Sequence, residues 1–155
     1  MTRAARRRLL VAAAGLLILG TAGAVLYVAW PRGVDVAVPA YRGAGCDGVG
    51  WPETVAGHEL TATAPVSPRA AAWGDPAVIA TCGWPALGPT DKECLDVDGV
   101  YWVVDPLSDG VRFTTFGRDP AIEVLVPDAY KPEPLLLPAF GPAARALPTN
   151  GRRCS

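Results

Sequence analysis

The sequence has little of what catalysis and metal binding require. Its 155 residues include one histidine, and 19% are charged. A Cys/His metal cluster is poorly supported by a single imidazole, and no pair of cysteines has the Cys-x-x-Cys spacing of a zinc or redox site. No serine lies in a Gly-x-Ser-x-Gly motif, so a Ser–His–Asp hydrolase is not indicated. We therefore predict no metal and no cofactor.

Acidic residues are missing from the beginning of the chain. Residues 1–32 carry five arginines and no acid, whereas residues 33–155 carry nine basic and fifteen acidic residues, a net charge of −6. The acidic remainder excludes a basic nucleic-acid-binding protein, so no nucleic-acid partner is predicted. The 17 glycines and 16 prolines exclude a coiled coil and a long helical bundle.

What is present at the amino end is a long apolar run. Residues 9–30 are 22 consecutive uncharged residues, and about 20 are enough to cross the hydrocarbon core of a bilayer as a helix. By the positive-inside rule, the arginines before this run predict that its amino end lies in the cytoplasm. We predict a cytoplasmic basic tail over residues 1–8, one transmembrane helix over 9–30 and an extracytoplasmic remainder at the cell membrane.

A cleaved signal peptide is the alternative at this end. Ala22-Gly23-Ala24 offers small residues for cleavage, and the mature chain would then begin at Val25. The apolar run continues for six residues beyond that site, which favours an uncleaved anchor. Both alternatives export the rest of the chain.

The cysteines all follow the apolar run. After a short tether over residues 31–42, we predict a disulfide-bonded domain over residues 43–155. An even number of cysteines in an exported domain is typical of structural disulfides. Four cysteines predict two disulfides, for which three pairings are possible. The cysteines are Cys46, Cys82, Cys94 and Cys154.

The clearest secondary-structure pattern lies between Cys94 and Val126. Asp98-Gly99 stands between two apolar runs, the strongest short signal for a β-hairpin. Further turns at 108–110 and 117–120 complete a predicted four-stranded antiparallel meander. In its last strand, Ile122, Val124 and Val126 alternate with Glu123, which predicts one core face and one outer face.

Shorter patterns surround this meander. Strands are predicted over residues 58–64 and 77–82. Residues 135–147 have apolar residues at near-helical spacing, but Pro138 and Pro142 limit them to one or two short helices. The predicted fold class is α+β, an antiparallel meander with short carboxyl-terminal helices on one face.

Several of these segments together resemble a known family. They are AAAWGDPA at 70–77, Cys82-Gly83, VDGVYW at 97–102 and RFTTFGR at 112–118. Over roughly residues 40–150 they resemble an actinobacterial family of exported or membrane-anchored proteins catalogued as a domain of unknown function. The resemblance implies a cell-envelope location and supplies no catalytic residues. It also favours Cys46–Cys82 as one disulfide, which leaves Cys94–Cys154 to tie the carboxyl tail to the start of a strand.

The aromatic and arginine residues are candidates for binding. Aromatic side chains at a groove can stack on sugars or hold a partner, and arginines can bind an anionic envelope component. The alternatives are a core rich in large side chains and solvated charges on strand faces. The binding candidates are Trp73, Asp75, Trp102, Arg112 and Arg118.

Only one acid–base set is available for an enzyme, and it consists of His58, Asp75 and Asp98. Asp96 and Asp98 also resemble part of a calcium loop, but Val100 occupies the next ligand position. The hairpin turn explains Asp98-Gly99 without a metal.

We therefore expect a single-pass membrane protein whose outer domain is a non-catalytic envelope component. Its expected contacts are the lipid bilayer, through residues 9–30, and another envelope or membrane protein. The alternative function is a small envelope enzyme acting on cell-wall material, which would require the three acid–base residues to meet in one pocket.

Overall fold

The computed structural model describes residues 33–41 and 43–154, so the predicted basic tail and the transmembrane segment lie outside the described residues. A compact unit begins at Gly33. Within the described part of the chain, no helix is long and apolar enough to cross a membrane.

Short β-strands dominate this unit. In chain order they are β1 (Val34–Asp35), β2 (Thr54–Val55), β3 (His58–Thr61), β4 (Thr63–Ala64), β5 (Ala70–Trp73), β6 (Val78–Trp84), β7 (Cys94–Val97), β8 (Val100–Pro106), β9 (Gly110–Phe116) and β10 (Ala121–Pro127).

Eight of these strands form one antiparallel sheet in the order β2-β3-β5-β6-β10-β9-β8-β7. Strands β7 to β10 are consecutive neighbours, so the predicted meander is confirmed. The sheet continues because β10 pairs with β6 as well as with β9. This second pairing brings the amino-terminal half of the domain into the same sheet.

The turn between β7 and β8 has the geometry that the Asp-Gly pair predicts. Asp98 and Gly99 both have positive φ, 52° and 77°, as a type I′ turn requires. The Asp96 carboxylate accepts a hydrogen bond of 2.9 Å from the Gly99 amide. Asp96 thus stabilises the turn to which Asp98 belongs.

Residues 58–64 differ from the prediction of one strand. Thr61 ends β3, which pairs with β5, and after one residue the chain changes partner to form β4. Strand β4 pairs in parallel with β1, which lies in the segment predicted to be a tether. The amides of Val34 and Val36 donate to the carbonyls of Ala62 and Ala64, so residues 34–36 are part of the fold.

One face of the sheet carries the core. Ala71, Ala80, Val124, Phe113 and Val104 form a directly registered row across five strands, and Phe113 has no exposed surface. The alternation predicted in β10 is confirmed, because Ile122, Val124 and Val126 are all buried on this face.

A helical segment from the end of the chain joins this core. It consists of a 3₁₀ helix over Glu133–Phe140, followed by α1 over Gly141–Arg145, which agrees with the predicted α+β class. Phe140 meets Trp73 edge to face, with ring centroids 5.4 Å apart. Pro142 lies in the first turn of α1, where the amide hydrogens have no acceptor within the helix. Its missing amide hydrogen therefore costs no helical hydrogen bond.

Two disulfides hold the periphery to the sheet, with the pairing that the resemblance favoured. Cys46–Cys82 is buried within the core, and Cys94–Cys154 joins the carboxyl tail to β7. The tail also pairs with the turn between β9 and β10, where the Asn150 amide donates to the Gly117 carbonyl at 2.9 Å.

Candidate functional site

The outer face of the sheet is not simply solvated. A row of registered residues runs across it in the order Ala70, Thr81, Glu123, Thr114 and Val103. Thr81, Thr114 and Val103 are buried. An outer face with buried residues requires a cover, and the loop between β6 and β7, residues 85–93, lies over it.

Between this loop and the sheet lies a cavity of about 530 Å³. Its apolar wall includes Trp84 and Leu87, and Pro85 and Pro89 restrict the backbone of the loop. The Trp84 indole donates to the Thr81 hydroxyl at 2.9 Å, which ties the first wall residue to the floor. The cavity volume falls in the range typical of small-molecule sites.

Charged side chains concentrate at one part of the cavity lining. Asp105 and Arg112 are register partners on β8 and β9, and Arg112 Nη2 lies 2.8 Å from Asp105 Oδ2. Lys92, on the covering loop, places its Nζ 2.9 Å from the other carboxylate oxygen of Asp105. Arg112 Nη1 also faces Glu123 Oε2, at 3.8 Å. The cavity therefore holds two cations and two carboxylates in contact.

The two carboxylates have opposite electrostatic environments. The hydrogen bond from Lys92, assisted by the charge of Arg112, lowers the pKa of Asp105 below its ordinary value. Burial raises the pKa of Glu123, and the neighbouring Arg112 only partly offsets this effect. The neighbouring cations stabilise the ionised form of Asp105, whereas desolvation destabilises the ionised form of Glu123.

The five predicted binding residues are dispersed by the fold. Trp73 and Trp102 have no exposed surface and are core residues, so they provide packing instead of a stacking platform. Arg118 donates to the Leu147 carbonyl at 2.9 Å and so fastens the carboxyl tail. Asp75 is exposed in the turn between β5 and β6. Arg112 alone of the five lines the cavity described above.

The acid–base set is also divided. His58 and the turn at Asp75 are neighbours through Tyr130, whose ring lies 5.9 Å from the His58 ring and whose hydroxyl donates to the Pro76 carbonyl. Asp98 precedes β8, at the opposite end of the sheet from that turn. The seven residues of β8 alone span about 23 Å. These three groups therefore do not form one acid–base site.

Sequence reasoning missed Lys92, Asp105 and Glu123. Glu123 is the only charged residue between Ala121 and Val126, and the alternation placed it correctly on the outer face. The signal that it would be covered is the long, proline-containing segment between β6 and β7, which has no strand pattern of its own. Within residues 33–41 and 43–154, no group of three His, Cys, Asp or Glu residues is arranged to hold a metal ion.

Comparison with known proteins identifies a family without an assigned activity. A search of curated proteins and a search of solved structures find no match to the chain. A family model described as "Protein of unknown function (DUF3515)" matches residues 26–146, which include the sheet, the cavity and the helical segment. The chain belongs to this family.

Proposed function

We propose that the protein is a single-pass, amino-in membrane protein whose exported domain is a non-catalytic binding or assembly component of the cell envelope. The cavity between the β6–β7 loop and the outer face of the sheet is its recognition site. The observation that carries this proposal is the combination, in one cavity, of an apolar wall with a compact set of charged groups.

The location rests on three properties of the chain. Residues 9–30 are long and apolar enough to span a bilayer, and the arginines before them favour an amino end inside. All four cysteines are paired within the domain, and structural disulfides persist in oxidising compartments. A domain anchored in this way would act at the outer surface of the membrane.

The binding role rests on the cavity. An apolar wall beside a few convergent polar groups is the usual composition of a small-molecule site, and the cavity lining combines Trp84 and Leu87 with four charged side chains. The separation of His58 and Asp75 from Asp98 supports a binding role over the alternative of an envelope enzyme. In this proposal the ligand is held and released unchanged, as a small molecule or as part of an envelope or membrane protein.

Fractionation tests the location. In membranes from cells producing the chain with a carboxyl-terminal tag, we expect the protein to resist carbonate extraction and the tag to be accessible to protease from outside. A mature chain that begins at Val25 and is released by carbonate would contradict the anchor and favour the cleaved signal peptide.

Crosslinking in intact cells tests the recognition site. Ala86→Trp fills the cavity from its loop wall, whereas Ala129→Trp makes the same change at an exposed position elsewhere. We expect a crosslinked product that forms with the wild type and with Ala129→Trp and is lost with Ala86→Trp, while both variants keep their disulfides. Equal crosslinking by all three proteins would contradict the cavity as the recognition site.

A further inference from the structure

Glu123 is the cavity-lining carboxylate that lacks a hydrogen-bond donor among the described residues. Its side chain is 13% exposed, and it lies on the cavity floor between Thr81 and Thr114. Among the hydrogen bonds of the described residues, none is accepted by its carboxylate, and the nearest cation, Arg112 Nη1, lies 3.8 Å away. That separation is beyond hydrogen-bond distance.

Asp105 provides the comparison within the same cavity. It accepts hydrogen bonds from Lys92 at 2.9 Å and from Arg112 at 2.8 Å, one on each oxygen. The Arg112 guanidinium is therefore hydrogen-bonded to Asp105, and it acts on Glu123 only through its charge at a longer distance. Of the two carboxylates that line the cavity, one is fully engaged and the other is open to a donor.

The Glu123 side chain is half-buried and accepts no hydrogen bond from the described residues, so its carboxylate can accept one from a ligand in the cavity. A bound ligand with N–H donors would supply the missing hydrogen bonds. The charge of the surroundings indicates which kind of donor. Lys92, Arg112, Asp105 and Glu123 sum to zero, and the exported part of the chain has a net charge of −6, so the field of the domain attracts cations.

We infer that the ligand presents a primary ammonium group to Glu123 and lays an apolar chain against the wall formed by Trp84 and Leu87. This inference rests on the proposed recognition site and specifies its ligand class. An ammonium group is compact and brings three donors to one position, and its charge strengthens each hydrogen bond to a carboxylate. Arg112 does not occupy this position, because its guanidinium hydrogen-bonds to Asp105 at 2.8 Å and stays 3.8 Å from Glu123.

The test compares short probes that differ only in their polar group. The full chain in lipid nanodiscs, labelled with 5-fluorotryptophan, is titrated with n-butylammonium, 1-butanol and butyrate, and the fluorine resonance of Trp84 is followed. A Trp84→Phe variant identifies this resonance. We expect a saturable shift with butylammonium and at least tenfold weaker binding of butanol and butyrate.

Two variants assign the selectivity to Glu123. Glu123→Gln keeps the shape of the side chain and removes its charge, and we expect it to weaken butylammonium binding at least tenfold. Glu59→Gln makes the same change at an exposed position on β3 and should leave binding unchanged. Both variants are compared by their fluorine spectra without probe, which report whether the fold is retained.

Three outcomes would overturn the ligand class. They are equal binding of butanol and butylammonium, unchanged butylammonium binding in Glu123→Gln, and the absence of any saturable shift with butylammonium. None of these decides the recognition site itself, which depends on the separate crosslinking comparison of Ala86→Trp with Ala129→Trp. Failure of the ligand class is thus distinguishable from failure of the proposed function.

Discussion

The two disulfides should contribute to stability by different routes, and double substitutions can separate them. Each disulfide restricts the unfolded chain, and the restriction grows with the length of the closed loop. Cys46–Cys82 closes a loop with a sequence separation of 36, and Cys94–Cys154 one of 60. Loop closure alone predicts about 3.8 kcal/mol for the first and about 4.3 kcal/mol for the second.

Burial reverses this order. Cys46 and Cys82 are 1% and 0% exposed and belong to the core, whereas Cys94 and Cys154 are half-buried. Replacing the first pair by alanine removes two sulfur atoms from a packed interior and adds a cavity cost of about 1 kcal/mol or more. We therefore expect Cys46→Ala/Cys82→Ala to lower the free energy of unfolding by about 5 kcal/mol, and Cys94→Ala/Cys154→Ala by about 4 kcal/mol.

Urea unfolding of the full chain in mild detergent, followed by the fluorescence of the buried tryptophans, measures both values. The dependence on urea concentration should steepen in both variants, because an unfolded chain without the bridge exposes more surface. A loss below about 1 kcal/mol for the Cys94–Cys154 variant would refute the loop-closure reasoning. A larger loss for that variant than for the Cys46–Cys82 variant would refute the reasoning from burial.

Three further predictions concern the core and the cavity charges. Phe113→Ala should lower the free energy of unfolding by about 3–5 kcal/mol, because the residue is fully buried in the registered core row; a loss below 1 kcal/mol in urea unfolding would contradict that packing. Asp105→Asn should cost less than about 1 kcal/mol at pH 7, since its ion pairs are partly exposed. Lys92 and Arg112 lower the pKa of Asp105, so its contribution is present above the ordinary pKa and is lost as the pH falls through the lowered one; a difference between the wild type and Asp105→Asn that persists in acid would contradict this. Glu123→Gln should instead raise the free energy of unfolding at pH 7 by about 0.5–1 kcal/mol, a typical gain when a group kept for function is replaced. Burial raises the pKa of Glu123, so the folded state is favoured while this group is protonated and loses that advantage as the pH rises through the raised pKa; thermal unfolding at several pH values would show no gain near neutral pH if the carboxylate were well solvated.

Much of the sheet could be predicted from local patterns. Turn chemistry at Asp98-Gly99 and alternation in residues 121–126 are decided by neighbouring residues, so both are readable in the sequence. The pairing of β10 with β6 is not local, because β7, β8 and β9 lie between them in the chain. The pairing of β1 with β4 was missed for a related reason, since two-residue strands are too short to show a period.

The candidate site was harder to predict than the fold. Arg112 was among the predicted binding residues, but its partners Asp105, Glu123 and Lys92 come from three other parts of the chain. The tryptophans misled for the opposite reason, because a large aromatic ring is equally suited to a binding surface and to a core. Only the packing of Trp73 and Trp102 against the helical segment and the sheet assigns them to the core.

The sequence by itself determined the class of fold, the strand pattern of the meander, the number of disulfides and the separation of a basic, apolar amino end from an acidic domain. These properties depend on composition and on residues close together in the chain. The tertiary structure decided that the outer face of the sheet is covered as well as the core face, where the cavity lies and which of its carboxylates lacks a donor. Those properties depend on contacts between Lys92, Asp105, Arg112 and Glu123, which only the register of the strands and the path of the β6–β7 loop bring together.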